Sequence, residues 1–211
     1  MPLPRLPAVL LCLCLLGGAA MSVRATEEPA FTVQRTLGDV ELRQYAGYAV
    51  AEVVVPGPAD SAGNRAFPIL AGYIFGKNKA EATFAMTAPV TQAQAASGVV
   101  LPMTAPVTQA AAEDGYLVQF VLPQGVTAET APAPLDPRVR LRQIAPRGIA
   151  AIRYSGFWSA ANDAKHLRLL LDALRAADLT WQGEPVTTRY DPPWTPWFMR
   201  RNEIWLELTP K

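Results

Sequence analysis

The chain has 211 residues, half of them hydrophobic, with 19 basic and 18 acidic side chains, one histidine and two cysteines. A charge this close to neutral gives no basis for nucleic-acid binding, which needs a basic face to displace counterions. Neither the phosphate-loop pattern GxxxxGK[ST] nor GxGxxG occurs, and the single histidine excludes a multi-histidine zinc site.

The first 25 residues read as a secretory signal. Arg5 supplies the positive start, residues 8–16 a short apolar run, and Val23-Arg24-Ala25 a small-residue cleavage pattern. The run is shorter than the roughly 20 apolar residues of a membrane-spanning helix. Cleavage predicts a periplasmic or secreted protein of one domain, residues 26–211; a membrane anchor formed by the uncleaved segment is the alternative. Cys12 and Cys14 leave with the segment, so the exported chain has no thiol for a disulfide, a zinc site or a nucleophile.

FTVQRTLGDVELRQY predicts two short strands joined at Leu37-Gly38-Asp39, and residues 48–55 predict a strand buried on both faces that stops at Pro56-Gly57. Residues 64–76, NRAFPILAGYIFG, have helical spacing. Phe67, Leu70, Ala71 and Ile74 form the expected core stripe, Pro68 is placed in the first turn, and Gly76 is a C-terminal stop. Unusually, the opposite side carries Ile69, Gly72 and Tyr73, with Arg65 near them. A helix apolar all round must be covered on both sides, by the protein's own loops, by a partner or by a ligand.

The heptapeptide MTAPVTQ follows twice, at 86–92 and 103–109, and YLVQFVLP after it. The two copies predict an antiparallel hairpin, with Pro89 and Pro106 at an edge, a bulge or a strand end, and Met86 and Met103 pointing inward.

The second half repeats the order. GIAAIRYSG predicts a strand, residues 159–179 an amphipathic helix with Ala164, Leu167, Leu170, Leu171 and Leu174 inward, and VTTRYDPPW and NEIWLEL two further strands. The expected fold is therefore α+β: a duplicated strand-helix-strand-strand unit, halves about 31–123 and 138–208, curling into a distorted antiparallel β-barrel with two flanking helices. His166, on the border of the second helix, is read as structural. YDPPWTPWFMRR is either a loop covering one barrel end or a pocket wall whose arginine meets a ligand carboxylate.

GYIFGKN, FAMTAPVTQ, FVLP, APLDPRVRL, IAAIRYSG, YDPPWTP and RRNEIWLEL, in this order, resemble the SOUL haem-binding protein family over nearly the whole exported chain. The resemblance implies a distorted barrel with two helices and the binding of haem or a related tetrapyrrole, without covalent attachment, in an apolar cleft along the first helix. It does not require a histidine ligand, and the metal ligand is left undetermined, with Tyr73, Met86 and Met103 as candidates. Combined with the helix geometry, it places an apolar platform at Ile69, Gly72 and Tyr73 and a cationic rim at Arg65, Lys77 or Lys79. The expected protein is a monomeric haem carrier or buffer that is not an enzyme. The rivals are an enzyme acting on a tetrapyrrole or other apolar molecule through Glu203 or Asp191, and a module that docks its apolar helix face on another protein.

Overall fold

The computed structural model describes residues 27–84, 87–94, 115–191 and 194–210. The signal segment, Met86, Met103 and the second heptapeptide lie outside the described residues.

Among the described residues, nine strands and two α-helices follow the chain as β1 (Phe31–Leu37), β2 (Val40–Tyr45), β3 (Tyr48–Pro56), α1 (Ala59–Ile74), β4 (Val90–Gln94), β5 (Gly115–Val121), β6 (Arg140–Ile144), β7 (Arg147–Tyr154), α2 (Ala160–Ala176), β8 (Trp181–Arg189) and β9 (Asn202–Leu208). All strands join one antiparallel sheet in the order β1-β2-β7-β9-β8-β4-β5-β3-β6. Outward from the β4–β8 pair the order mirrors itself, β4-β5-β3 on one side and β8-β9-β7 on the other. The sheet is open at β1 and β6 among the described residues, which corrects the expected closed barrel: each of these edge strands has one partner. The strand β6 was not anticipated. Its RLRQI carries two arginines and a glutamine among five residues, as suits an edge.

Strand alternation assigns the two faces. On one, α1 covers Ala49, Ala51, Val53 and Val55 of β3 with Val118 and Phe120 of β5, and α2 covers Ala150 and Ile152 of β7 with Ile204 and Leu206 of β9. On the other lie Tyr45, Ile149, Ala151 and Trp205, and beside them Val50, Val121 and Ile144, with Tyr48 packed on both groups. This explains why β3 reads as continuously apolar: residues 49–53 are buried on both faces.

The expected hairpin of the two heptapeptide copies falls on the second copy, which lies outside the described residues; the first copy supplies the start of β4. A strand has two edges, and over Val90, Thr91 and Gln92 these are taken by β5 and β8. Pro89 precedes the first ladder residue, where its missing N–H costs no sheet bond.

The second face also buries charge. Glu203 is fully buried, and its carboxylate accepts from Arg43 Nη1 (2.7 Å) and Nη2 (3.1 Å), Arg201 Nε (3.0 Å), the Tyr190 hydroxyl (2.9 Å) and Trp205 Nε1 (2.7 Å). Burial alone pushes this carboxyl up; the bonds and charges of Arg43 and Arg201 and the Trp205 N–H outweigh it, so its pKa lies below the ordinary 4.5. Tyr45, desolvated in the same cluster, is pushed up to about 12. Replacing Glu203 with Gln should cost about 3–5 kcal/mol in urea unfolding, because the fully buried Arg43–Glu203 pair is broken, leaving Arg43 only the partly exposed Glu41 and Arg201 only Glu28. The depressed pKa also sets a pH dependence. The contribution of Glu203 is complete above the unfolded value near 4.5 and is lost as pH falls through the lower folded value. The acid loss of stability in wild type should therefore be shallower in the Gln variant.

Candidate functional site

Helix α1 begins five residues before the predicted start, so Pro68 sits inside it, not in its first turn. The missing N–H frees a carbonyl one turn back, and Pro68 is on the exposed side, where water can satisfy it. The core face is Ala62, Ala66, Leu70, Tyr73 and Ile74, while Phe67 is 48% exposed with its edge to Phe120. Of the predicted core stripe, Leu70, Ala71 and Ile74 are buried and Phe67 alone turns outward, its place taken by Ala62, Ala66 and Tyr73. Ala62 and Ala66 are small enough to bring the helix close to β3, and hydropathy gives alanine little weight.

At about 100° per residue, Arg65, Pro68, Ile69 and Gly72 share an arc of about 100° on the outer flank. Tyr73 stands at the border and turns inward; it is buried, and its hydroxyl donates to the Pro132 carbonyl at 3.0 Å. The expected outer platform therefore keeps Ile69 and Gly72, while Tyr73 forms the floor. A ligating role for the Tyr73 oxygen would sacrifice that bond, and desolvation raises the phenol pKa.

The helix ends in a Schellman arrangement: Gly76 N–H donates to Tyr73 O (3.4 Å) and Lys77 N–H to Gly72 O (2.9 Å), with Gly76 at φ +107°. Buried Asn78 then locks the turn. Its Nδ2 donates to Tyr73 O (3.1 Å) and Ala82 O (2.7 Å), and its Oδ1 accepts from Ala80 N (3.2 Å) and Ala82 N (3.0 Å). The segment before β6 is tied alongside, Lys79 N to Ala133 O at 2.9 Å and Leu135 N to Lys77 O at 3.2 Å.

Between this segment and α1 lies a groove of about 290 Å³, lined by Pro68, Ile69, Tyr73, Lys77, Asp136 and Arg138. The Lys77 stem runs over Gly72: a Cβ there would meet Lys77 Cδ at 3.1 Å. Arg138 reaches Asp136 through Nε (3.0 Å) and Nη2 (2.6 Å), and these bonds hold the Asp136 carboxyl down at about 2. Arg138 and Asp136 escaped the sequence reading, although Asp-Pro-Arg is a turn signal: Asp136 also accepts the Arg138 backbone N–H at 3.0 Å.

Two expected rim residues are placed elsewhere. Arg65 folds back to the start of α1, donating to Ser61 Oγ (2.6 Å) and Pro58 O (3.2 Å) over Gly57. Lys79 is exposed beyond the groove's lining. His166 stacks on Tyr154 (4.2 Å between centroids) and bonds Asn162 O through Nδ1 at 2.8 Å, on α2, in the structural role expected of it. The rival acid–base residues are committed too: Glu203 is saturated by five donated bonds, and Asp191 accepts Arg201 N–H at 2.6 Å. Among the described residues no group of three or more His, Cys, Asp or Glu side chains can hold a metal ion.

The match to known families is decided over residues 26–207, which fit the family described as SOUL heme-binding protein. The chain belongs to the SOUL family. No curated protein matches it individually. Solved structures share its fold at low identity. An uncharacterized conserved protein from Listeria innocua has TM-score 0.59 and 10% identity, covering 81% of this chain and 92% of its own. A hydrolase from the same organism has TM-score 0.57 and 11% identity over 81% and 92%. The EcmrR C-terminal domain has TM-score 0.55 and 11% identity over 82% and 98%.

Truncating Asn78 to Ala removes the side-chain partner of the Ala82 carbonyl and of the Ala80 and Ala82 N–H groups, and leaves the Tyr73 carbonyl only the long bond from Gly76 N–H. The expected loss is about 2–3 kcal/mol in denaturant unfolding, with faster amide exchange concentrated at residues 78–82.

Proposed function

We propose that this SOUL-family protein is exported and carries or buffers haem or a related tetrapyrrole, bound in the groove beside the outer flank of α1. Family membership supports the ligand class, and the groove supports the position. A tetrapyrrole is a flat apolar disc with carboxylates at one edge. Pro68, Ile69 and the ring of Tyr73 offer the apolar wall, Gly72 permits close approach once the Lys77 stem moves, and Lys77 and Arg138 offer cations at the rim. A groove of this size leaves one side of the disc in solvent, as suits a carrier that must release its cargo.

Binding would occur without a histidine ligand, because His166 is engaged on the other helix. Met86 and Met103 stay sequence-based candidates for an iron ligand, outside the described residues. The haem iron would supply redox and axial-ligand chemistry, and the groove residues would only orient and cover the ring. The proposal includes cleavage of residues 1–25, a monomer, and no nucleic-acid partner. We also read the mirrored strand order as the duplicated unit expected from the sequence, with only the first half keeping a ligand flank on its helix.

The observation that carries this reading is the joining, across one groove, of an apolar helix flank to Lys77 and to Arg138, the latter already paired with Asp136. Titration with haemin, followed through the Soret band, tests it. Lys77→Glu should weaken binding about tenfold, equivalent to roughly 1.4 kcal/mol. Gly72→Trp should weaken it further by filling the groove; unchanged affinity in both variants would remove the site. Iron-free porphyrin should bind about as tightly as haemin, and a large preference for haemin would show that a protein ligand to iron exists.

A further inference from the structure

The groove beside α1 already holds an anion of the protein's own. The Asp136 carboxylate fills the donor fork of Arg138, Oδ1 accepting from Nε at 3.0 Å and Oδ2 from Nη2 at 2.6 Å. These bonds hold the carboxyl low, and the charge of Lys77, just past the end of α1, adds to the effect. Asp136 is thus neutralised by the same two cations that a tetrapyrrole's carboxylates would use.

The ion pair is not what builds the loop. Main-chain bonds hold the segment: Lys79 N–H donates to Ala133 O (2.9 Å), Leu135 N–H to Lys77 O (3.2 Å) and Val139 N–H to Asp136 O (3.1 Å). Asp136 Oδ1 also accepts the Arg138 backbone N–H at 3.0 Å, a bond that needs an oxygen at this position but no charge. The Arg138 side chain is 62% exposed and that of Asp136 29%, and a pair so open to water adds little to stability. Its effect is on the groove: the two parallel N–H groups with which a guanidinium takes a ligand carboxylate are occupied.

We propose that Asp136 is a placeholder for a ligand carboxylate, filling the Arg138 fork in the empty groove and setting the charge that a ligand must bring. This inference rests on the tetrapyrrole reading and names the residue that makes the site selective. An incoming carboxylate has two routes. It takes Nε and Nη2 and turns Asp136 out to water, or it meets Nη1 with Asp136 as a like-charged neighbour. Either route costs affinity. One carboxylate only exchanges one ion pair for another, whereas a second, engaging Lys77, supplies a surplus. Asp136 therefore favours rings with two acidic side chains over rings of the same shape with one or none.

The test compares haemin with its dimethyl ester, whose edge is uncharged, by Soret titration of the full chain. Asp136→Asn keeps an oxygen for the Arg138 N–H and removes the charge from the fork. It should bind haemin about fivefold more tightly than wild type, the scale of one like-charge contact removed at an exposed site, and bind the ester unchanged. Asp136→Ser, which also suits the turn, should gain likewise. Both gains should vanish in an Arg138→Gln background. Glu81→Gln removes an exposed acid outside the groove's lining and should alter neither ligand's affinity. Haemin affinity unchanged or weakened in both Asp136 variants overturns the placeholder role, as does a gain that survives Arg138→Gln, extends to the ester or is matched by Glu81→Gln. Haemin binding to wild type would then still support the site itself. No Soret shift in wild type or in either Asp136 variant overturns the placeholder and the tetrapyrrole reading together.

Discussion

The candidate site depends on how the end of α1 is tied down, and Asn78 does most of the tying. One buried amide completes four hydrogen bonds at the point where the helix, the 80–82 turn and the 132–139 segment meet. Without such a fixture the helix end would fray, as helix termini do when their carbonyls lack partners. With it, Tyr73 is held inward by Pro132, Lys77 is laid over Gly72, and the Asp136–Arg138 turn faces Ile69 across a groove. The groove is thus made by closing one helix end against a loop, with no opening in the sheet.

The sheet supplies the platform, and its two faces are stabilised by different means. The face under the helices is apolar and contributes through area removed from water. The opposite face buries Glu203 between Arg43 and Arg201, a geometry that joins β2, β9, the end of β8 and the entering chain at Glu28. A buried ion pair adds little net stability compared with a well-packed apolar cluster, yet it is costly to break. Its effect here is to hold the register of strands far apart in sequence. It also removes Glu203 from any acid–base role, since every acceptor direction of the carboxylate is used.

Much of this was legible in the sequence where the pattern was strong. The alternating or continuously apolar runs became β3, β5, β7 and β9, and α2 appeared with Leu170 and Leu174 inward as its periodicity required. The first helix was misread for a physical reason. Its core face keeps the expected Leu70, Ala71 and Ile74 but adds Ala62 and Ala66, which carry little hydropathic signal, and Tyr73, which is inside because its hydroxyl finds a carbonyl. Ile69 and Gly72 stood out because a glycine and an isoleucine on a supposedly solvated flank are anomalous, and Lys77, one of three cations proposed with the family resemblance, lines the groove beside Ile69. Arg138 was missed since its position depends on a turn 60 residues beyond the helix, and Arg65 was overvalued since sequence spacing does not reveal that it folds back on Pro58. The strand β6 and the open edges depend on long-range pairing that local patterns do not encode.

The fold is shared with proteins of about one-tenth identity, so it does not by itself select a ligand. The candidate site of this chain is the flank of α1 and the loop facing it. Hydrogen–deuterium exchange with and without haemin locates binding most directly. The account predicts protection at residues 65–79 and 132–139 and none along α2. Protection confined to α2 or to the β8–β9 connection, or no protection at saturating haemin, would contradict it.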